Sequence, residues 1–170
     1  MPAYASPDTR NYYVGKGRVY FKATGEPDYR HMGNCTSITL TPSVEKLDHF
    51  SSMEGTRKKD KSIIVEQGGQ LALVLEEFTA DNLRLALFGT VVEQSSGDQE
   101  IDIFAVSEIV GQLKFEGAND VGPKQFVYLN NVSIVPAGAI ELITDEWGQI
   151  ELEGEVLADA TGKFGTWSVV

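Results

Sequence analysis

Between Gly33 and Gly89 the chain carries two long β-type runs either side of a polar, charged loop, followed by one short helix pattern. No nucleophile–base set, metal cluster or phosphate loop lies in this stretch, so it reads as a building block. Its long strands are there to pair, its loop to reach a neighbour, and its helix to close one side. Gly33 to Asp48 predicts a long strand or bent pair, with Ile38 and Leu40 on one face and Thr39 and Thr41 on the other. Pro42 lacks a backbone donor and so marks a bulge or a sheet edge. His49 to Lys61 is expected to be a loop too long for a tight hairpin turn. Ser62 to Gln67 is the expected return strand, and Gln70 to Phe78 a further one. Apolar residues on both faces of that last run imply burial between two layers. Thr79 is placed to cap a helix with Asp81 in its first turn and Gly89 just past its end. Leu83, Ala86 and Leu87 form its expected packing stripe.

The rest of the chain continues in strands. Arg18 to Ala23 is a short strand and Thr24 to Asp28 a turn. Glu100–Val106 with Ile109–Glu116 predicts a hairpin, and Ala139–Thr144 with Gln149–Ala158 predicts another around Asp145-Glu146-Trp147-Gly148. Phe126 to Val135 is a long strand between them. The expected organisation is an N-terminal arm over 1–17, a β-domain over 18–158 and a C-terminal tail over 159–170. The fold class is mainly β: a β-sandwich or barrel with one flanking α-helix and extended arms at both ends. A chain of 170 residues, 42% of them hydrophobic, suits one such core.

Charge and cysteine content narrow the function classes. The net charge is −11, from 25 acidic and 14 basic residues, which should repel a phosphate backbone rather than grip it. The acidity equally serves solubility. A single cysteine, Cys35, excludes an internal disulfide and suits a reducing compartment. No apolar run is long enough for a membrane span, and the start lacks a basic-then-apolar leader pattern. His31, His49 and Cys35 match no zinc spacing. Gly15-Lys16-Gly17 precedes a strand rather than a helix, so it is no phosphate cradle. The two glycosylation-type triplets, at Asn34 and Asn131, are read as chance. No catalytic residue, metal or cofactor is expected.

Three features point to assembly. Ile150 to Val156 alternates strictly, placing Glu151, Glu153 and Glu155 on one strand face. That face is either ordinary solvated surface or an acidic wall beside a passing anionic polymer. Arg57-Lys58-Lys59-Asp60-Lys61 is a basic cluster in an acidic chain, placed either to meet an acidic neighbour or as a solvated tip. Tyr4, Tyr12 and Tyr13 in the N-terminal arm, and Trp167 in the tail, offer amphipathic docking area, though the arm has the alternative of folding back on its own domain.

In order and spacing, several pieces resemble the major tail tube proteins of long-tailed bacteriophages. They are Arg18-Val19-Tyr20-Phe21, Gly33-Asn34-Cys35-Thr36, Ser51-Ser52-Met53-Glu54-Gly55, Phe78-Thr79-Ala80-Asp81-Asn82-Leu83, Val135-Pro136-Ala137-Gly138, and Trp147-Gly148 through Val156. The resemblance implies stacked hexameric rings forming a hollow tube through which genomic DNA passes without specific binding. It implies ring and subunit contacts from Ser51, Ser52, Met53, Arg57, Lys58, Lys59, Lys61 and both termini. Implied partners are the chain itself, a tape measure protein, and tail terminator and tail-tip proteins, in a virion assembled in the bacterial cytoplasm. Two other readings stay open: a secretion tube of the type VI kind, and a β-sandwich carbohydrate-binding module using Trp147. A hydrolase is disfavoured, because glutamates on a regular strand make a surface and not a cleft.

Overall fold

The structure, a computed structural model, describes residues 7–170. Tyr4 lies outside the described residues. The chain runs through β1 (Gly17–Ala23), β2 (Arg30–His31), β3 (Cys35–Ser51), β4 (Lys58–Leu75), α1 (Ala80–Ala86), β5 (Thr90–Glu93), β6 (Gln99–Asp102), β7 (Ile109–Gly117), β8 (Gln125–Pro136), β9 (Ile150–Val156) and β10 (Gly165–Val169). The main sheet is antiparallel in the order β2-β1-β7-β8-β9-β4-β3, with β10 added on β8, and β5–β6 form a separate ribbon. The fold is mainly β with one α-helix, as expected; the barrel does not close.

The sheet forks at β8. Val132–Pro136 pair with β9, whereas Gln125–Leu129 pair with β10 along the same side. The fork and the bulge between Gly111 and Leu113 in β7 curl the sheet around one apolar interior. Phe21, Leu73, Leu75, Leu113, Ile134 and Leu152 are fully buried there. In β9 burial alternates without exception, so Ile150, Leu152 and Val156 face inward. Gly154 faces inward too: a Cβ at this position would sit 2.8 Å from Val132 Cγ1, so its bare backbone lets β8 approach.

Helix α1 packs against β8, β9 and the β5–β6 ribbon. Thr79 caps it, its hydroxyl accepting from Asn82 N–H at 3.2 Å. The buried stripe is Asn82, Leu85 and Ala86, one position out of phase with the expected one. Asn82 holds the apolar face because all its polar atoms are used. Its Nδ2 donates to the carbonyls of Met32 and Glu77, both at 2.9 Å, and its Oδ1 accepts from Arg30 at 2.8 Å. The left-handed residue ending the helix is Phe88 (φ 46°), not Gly89. Gly89 is needed for another reason, since a Cβ there would clash with Ile101 of β6.

Four further expectations are corrected. The loop over His49–Lys61 is the distal end of a hairpin: β3 runs to Ser51, β4 starts at Lys58, and β4 continues through Gly68-Gly69 as one strand. Residues 70–75 are covered on one face only, with Ala72 exposed and Val74 half-buried. Gln99–Asp102 pairs with β5 and not with β7, while β7 lies between β1 and β8. Residues 139–149 form no strand, so β9 finds its partners in β8 and β4. The reason is shared. Local alternation shows that a segment can be a strand, but long-range register decides its partner.

The tail, expected as an outward arm, carries β10. It is stitched along β8 and closed by reciprocal backbone bonds between Val170 and Lys124. Its loop is held by Asp159, whose carboxylate accepts from Thr161, Lys163 and Asn130. Those bonds hold its pKa well below the usual range, led by the Thr161 hydroxyl. At the other end, Val14 bridges Val121 and Lys16 accepts from Ala118 N–H. The described part of the N-terminal arm therefore lies on its own domain.

Candidate assembly surfaces

Beyond Gly69, which still pairs with Val156, β4 has no partner but β3 among the described residues. Residues 58–68 and their β3 partners thus project as a two-stranded arm, on the order of 35 Å long at strand rise. The arm holds bulges between Glu45 and Lys46 and between His49 and Phe50. It also carries exposed Val44, Leu47, Phe50, Ile63, Ile64 and Val65, and at its tip Met53 is 92% exposed. A lone two-stranded hairpin is marginal in water, so surface polar bonds assist it. Asp48 accepts from Lys59 at 2.7 Å and Ser62 at 2.6 Å, and His49 Nδ1 meets Asp60 at 2.6 Å. The Lys59 bond, then that of Ser62, draws the Asp48 carboxyl below its ordinary pKa. The basic cluster is therefore divided. Lys59 is spent within the arm and Arg57 lies 5.4 Å over the Phe50 ring. Arg57, Lys58 and Lys61 join none of the ion pairs among the described residues.

The acidic face is as the alternation predicts. Glu151, Glu153 and Glu155 point outward from β9, at intervals of about 7 Å. Opposite them stand Val74, Ala72 and Gln70 on β4, and Val135 and Ser133 on β8, all neutral. The column continues into the 139–149 loop. From Gln125 to Gly162 the sequence contains seven acidic residues and no Lys or Arg.

That loop was not legible as a surface. Leu142, Ile143 and Trp147 are 92, 98 and 90% exposed. Few contacts hold the loop. Ala137 N–H donates to the Glu151 carbonyl at 3.0 Å, Glu146 N–H donates to the Thr144 hydroxyl at 3.1 Å, and Gly148 lies against the Phe78 ring. The sequence signal was there as Leu-Ile-Thr-Asp-Glu-Trp, but it reads equally well as half of a hairpin.

Elsewhere, Tyr12 and Tyr13 are exposed beside the Val14 bridge, and Ser51 ends β3 with Ser52 in the tip. Trp167 is partly exposed on β10, its Nε1 donating to Gln125 at 2.6 Å. The basic cluster and the acidic face are not brought together within one chain. Inside the curl, an apolar cavity of about 390 Å³ is lined by Val19, Leu40, Leu71, Phe115, Val127 and Trp167. Cys35 edges it, its thiol pKa raised by burial. Among the described residues no group of three His, Cys, Asp or Glu could hold a metal ion, and no helix is long and apolar enough to cross a membrane.

A family model matches residues 12–105 and 98–167. The chain belongs to the family described as protein of unknown function UCP028589. The match takes in the arm, the acidic column and the 139–149 loop of this UCP028589 protein. No curated protein matches it significantly. Its fold is shared by a chain in the cryo-EM structure of the anti-feeding prophage (AFP) baseplate, 6-fold symmetrised. The two are 11% identical, with a TM-score of 0.58 and coverage of 98% of this chain and 97% of that one.

Proposed function

We propose that the chain is a structural subunit of a phage tail-like particle, and within it the subunit of the tail tube. Copies form hexameric rings, and rings stack into a tube through which DNA passes. The observation that carries this reading is the arm, with its apolar side chains left in water on two strands that only pair with each other. Such a surface is completed by a neighbour, since exposed apolar patches of this extent mark interaction sites. The fold shared with a chain of a 6-fold symmetrised prophage baseplate supports it. The glutamate column suits a lumen wall, because retaining DNA needs cationic contacts that release counterions. Tape measure, terminator and tail-tip proteins are the proposed partners, and the virion the proposed location.

The test is negative-stain microscopy of the purified chain, alone and with its tail-tip nucleus. Rings or hollow tubes are expected; a monomer that never associates under either condition overturns the reading. The secretion-tube alternative draws on the same baseplate likeness. It is separated by the particle itself: a DNA-filled capsid on the native tail favours the virion.

A further inference from the structure

We infer that the 139–149 loop is the receptor for the hairpin tip of a second copy, so that subunits engage head to tail along the β4 direction. This rests on the self-assembly proposed above and names the surface that receives the arm. The two surfaces sit at opposite ends of one strand. Lys58 begins β4 at the tip, and Leu75 ends it beside Ile150, where the loop returns into β9. The separation along the strand is roughly 55 Å.

Both surfaces are apolar and unpartnered in the single chain. The tip offers Met53 and Phe50, and the loop offers Leu142, Ile143 and Trp147. Their charges are opposite. The tip has Arg57, Lys58 and Lys61 outside any ion pair among the described residues. The loop forms an open basin lined by Glu76, Glu141, Asp145, Glu146, Glu151 and Trp147. Opposite charge around an apolar centre fixes register and excludes tip-to-tip and loop-to-loop encounters. A contact joining opposite ends of the same molecule is heterologous, and when repeated it propagates along an axis.

The test uses the full chain with two triple reversals. Arg57→Glu/Lys58→Glu/Lys61→Glu and Glu141→Lys/Asp145→Lys/Glu146→Lys should each lower sedimentable polymer at least tenfold, with circular dichroism unchanged. All six changes in one chain should restore it to within about twofold of wild type. In a Cys35→Ser background, Met53→Cys with Leu142→Cys should give a disulfide ladder beyond dimer on mild oxidation. Neither cysteine alone should pass dimer. A double-cysteine chain that polymerises yet yields no ladder, or a loop reversal that polymerises normally, overturns the receptor assignment while leaving self-assembly standing. Wild type that does not polymerise either alone or with the tail-tip nucleus overturns self-assembly itself.

Discussion

The two halves of β4 share a strand and a partner in β3 but differ in burial. Residues 69–75 lie between β3 and β9, and Leu71, Leu73 and Leu75 are buried. Residues 58–67 pair with β3 alone and are exposed throughout, although Ile63, Ile64 and Val65 are as apolar as the leucines. The residue types do not separate the halves; the presence of β9 does. Apolar content in the proximal half is buried in the core, and in the distal half it stays exposed among the described residues.

The widest split is expected from paired substitutions. Leu73→Ala should cost about 2–5 kcal/mol of folding stability. Leu47→Ser with Ile63→Ser should change monomer stability by about 0.5 kcal/mol or less yet abolish assembly. Denaturant titration and sedimentation read the two effects; a large folding cost in the arm would erase the distinction. Next, amide hydrogen exchange in the monomer should be fast across 43–67 and slow across 69–75, converging once copies assemble. Thr79→Ala should then cost about 1 kcal/mol through the lost cap, with no effect on the arm.

A pH-linked effect of similar size also belongs to the body. Burial alone would raise the Glu26 carboxyl, but bonds from Arg84 at 2.8 Å and Ala23 N–H at 3.0 Å leave its pKa lowered. A depressed acid stabilises above its unfolded pKa, and that stability is lost as pH falls through the folded value. Glu26→Gln should therefore cost about 1 kcal/mol at pH 7, with the gap closing toward pH 3. A gap that widens with acid would break the assignment. Finally, Glu151→Lys/Glu153→Lys/Glu155→Lys should make assembled tubes retain DNA in a salt-dependent way; unchanged retention places the column outside the lumen.

What could be read beforehand follows the range of each cause. The Thr79 cap, the β9 alternation and the β1 and β8 strands are local patterns, and they stand as expected. The distal hairpin was missed because His-Phe-Ser-Ser and Thr-Arg-Lys-Lys look like loop chemistry, while pairing across two bulges depends on register. Asn82 was missed because a polar residue on the packing stripe makes sense only once Met32, Glu77 and Arg30 surround it. The exposure of Leu142, Ile143 and Trp147 reflects what does not pack against them, and their local pattern reads equally well as half of a hairpin. Arg57, Lys58, Lys59 and Lys61 were visible as a cluster. That Lys59 is already bound to Asp48 was not.

The fork at β8 leaves one sheet edge that a single short strand keeps covered. Gln125–Leu129 hold their outer backbone groups against the final strand alone. A protease clipping near Gly162 would uncover a bare ribbon edge, the kind of sticky template that seeds indiscriminate clumping. Residues 165–169 therefore act as a cover for this edge of β8 in the single chain.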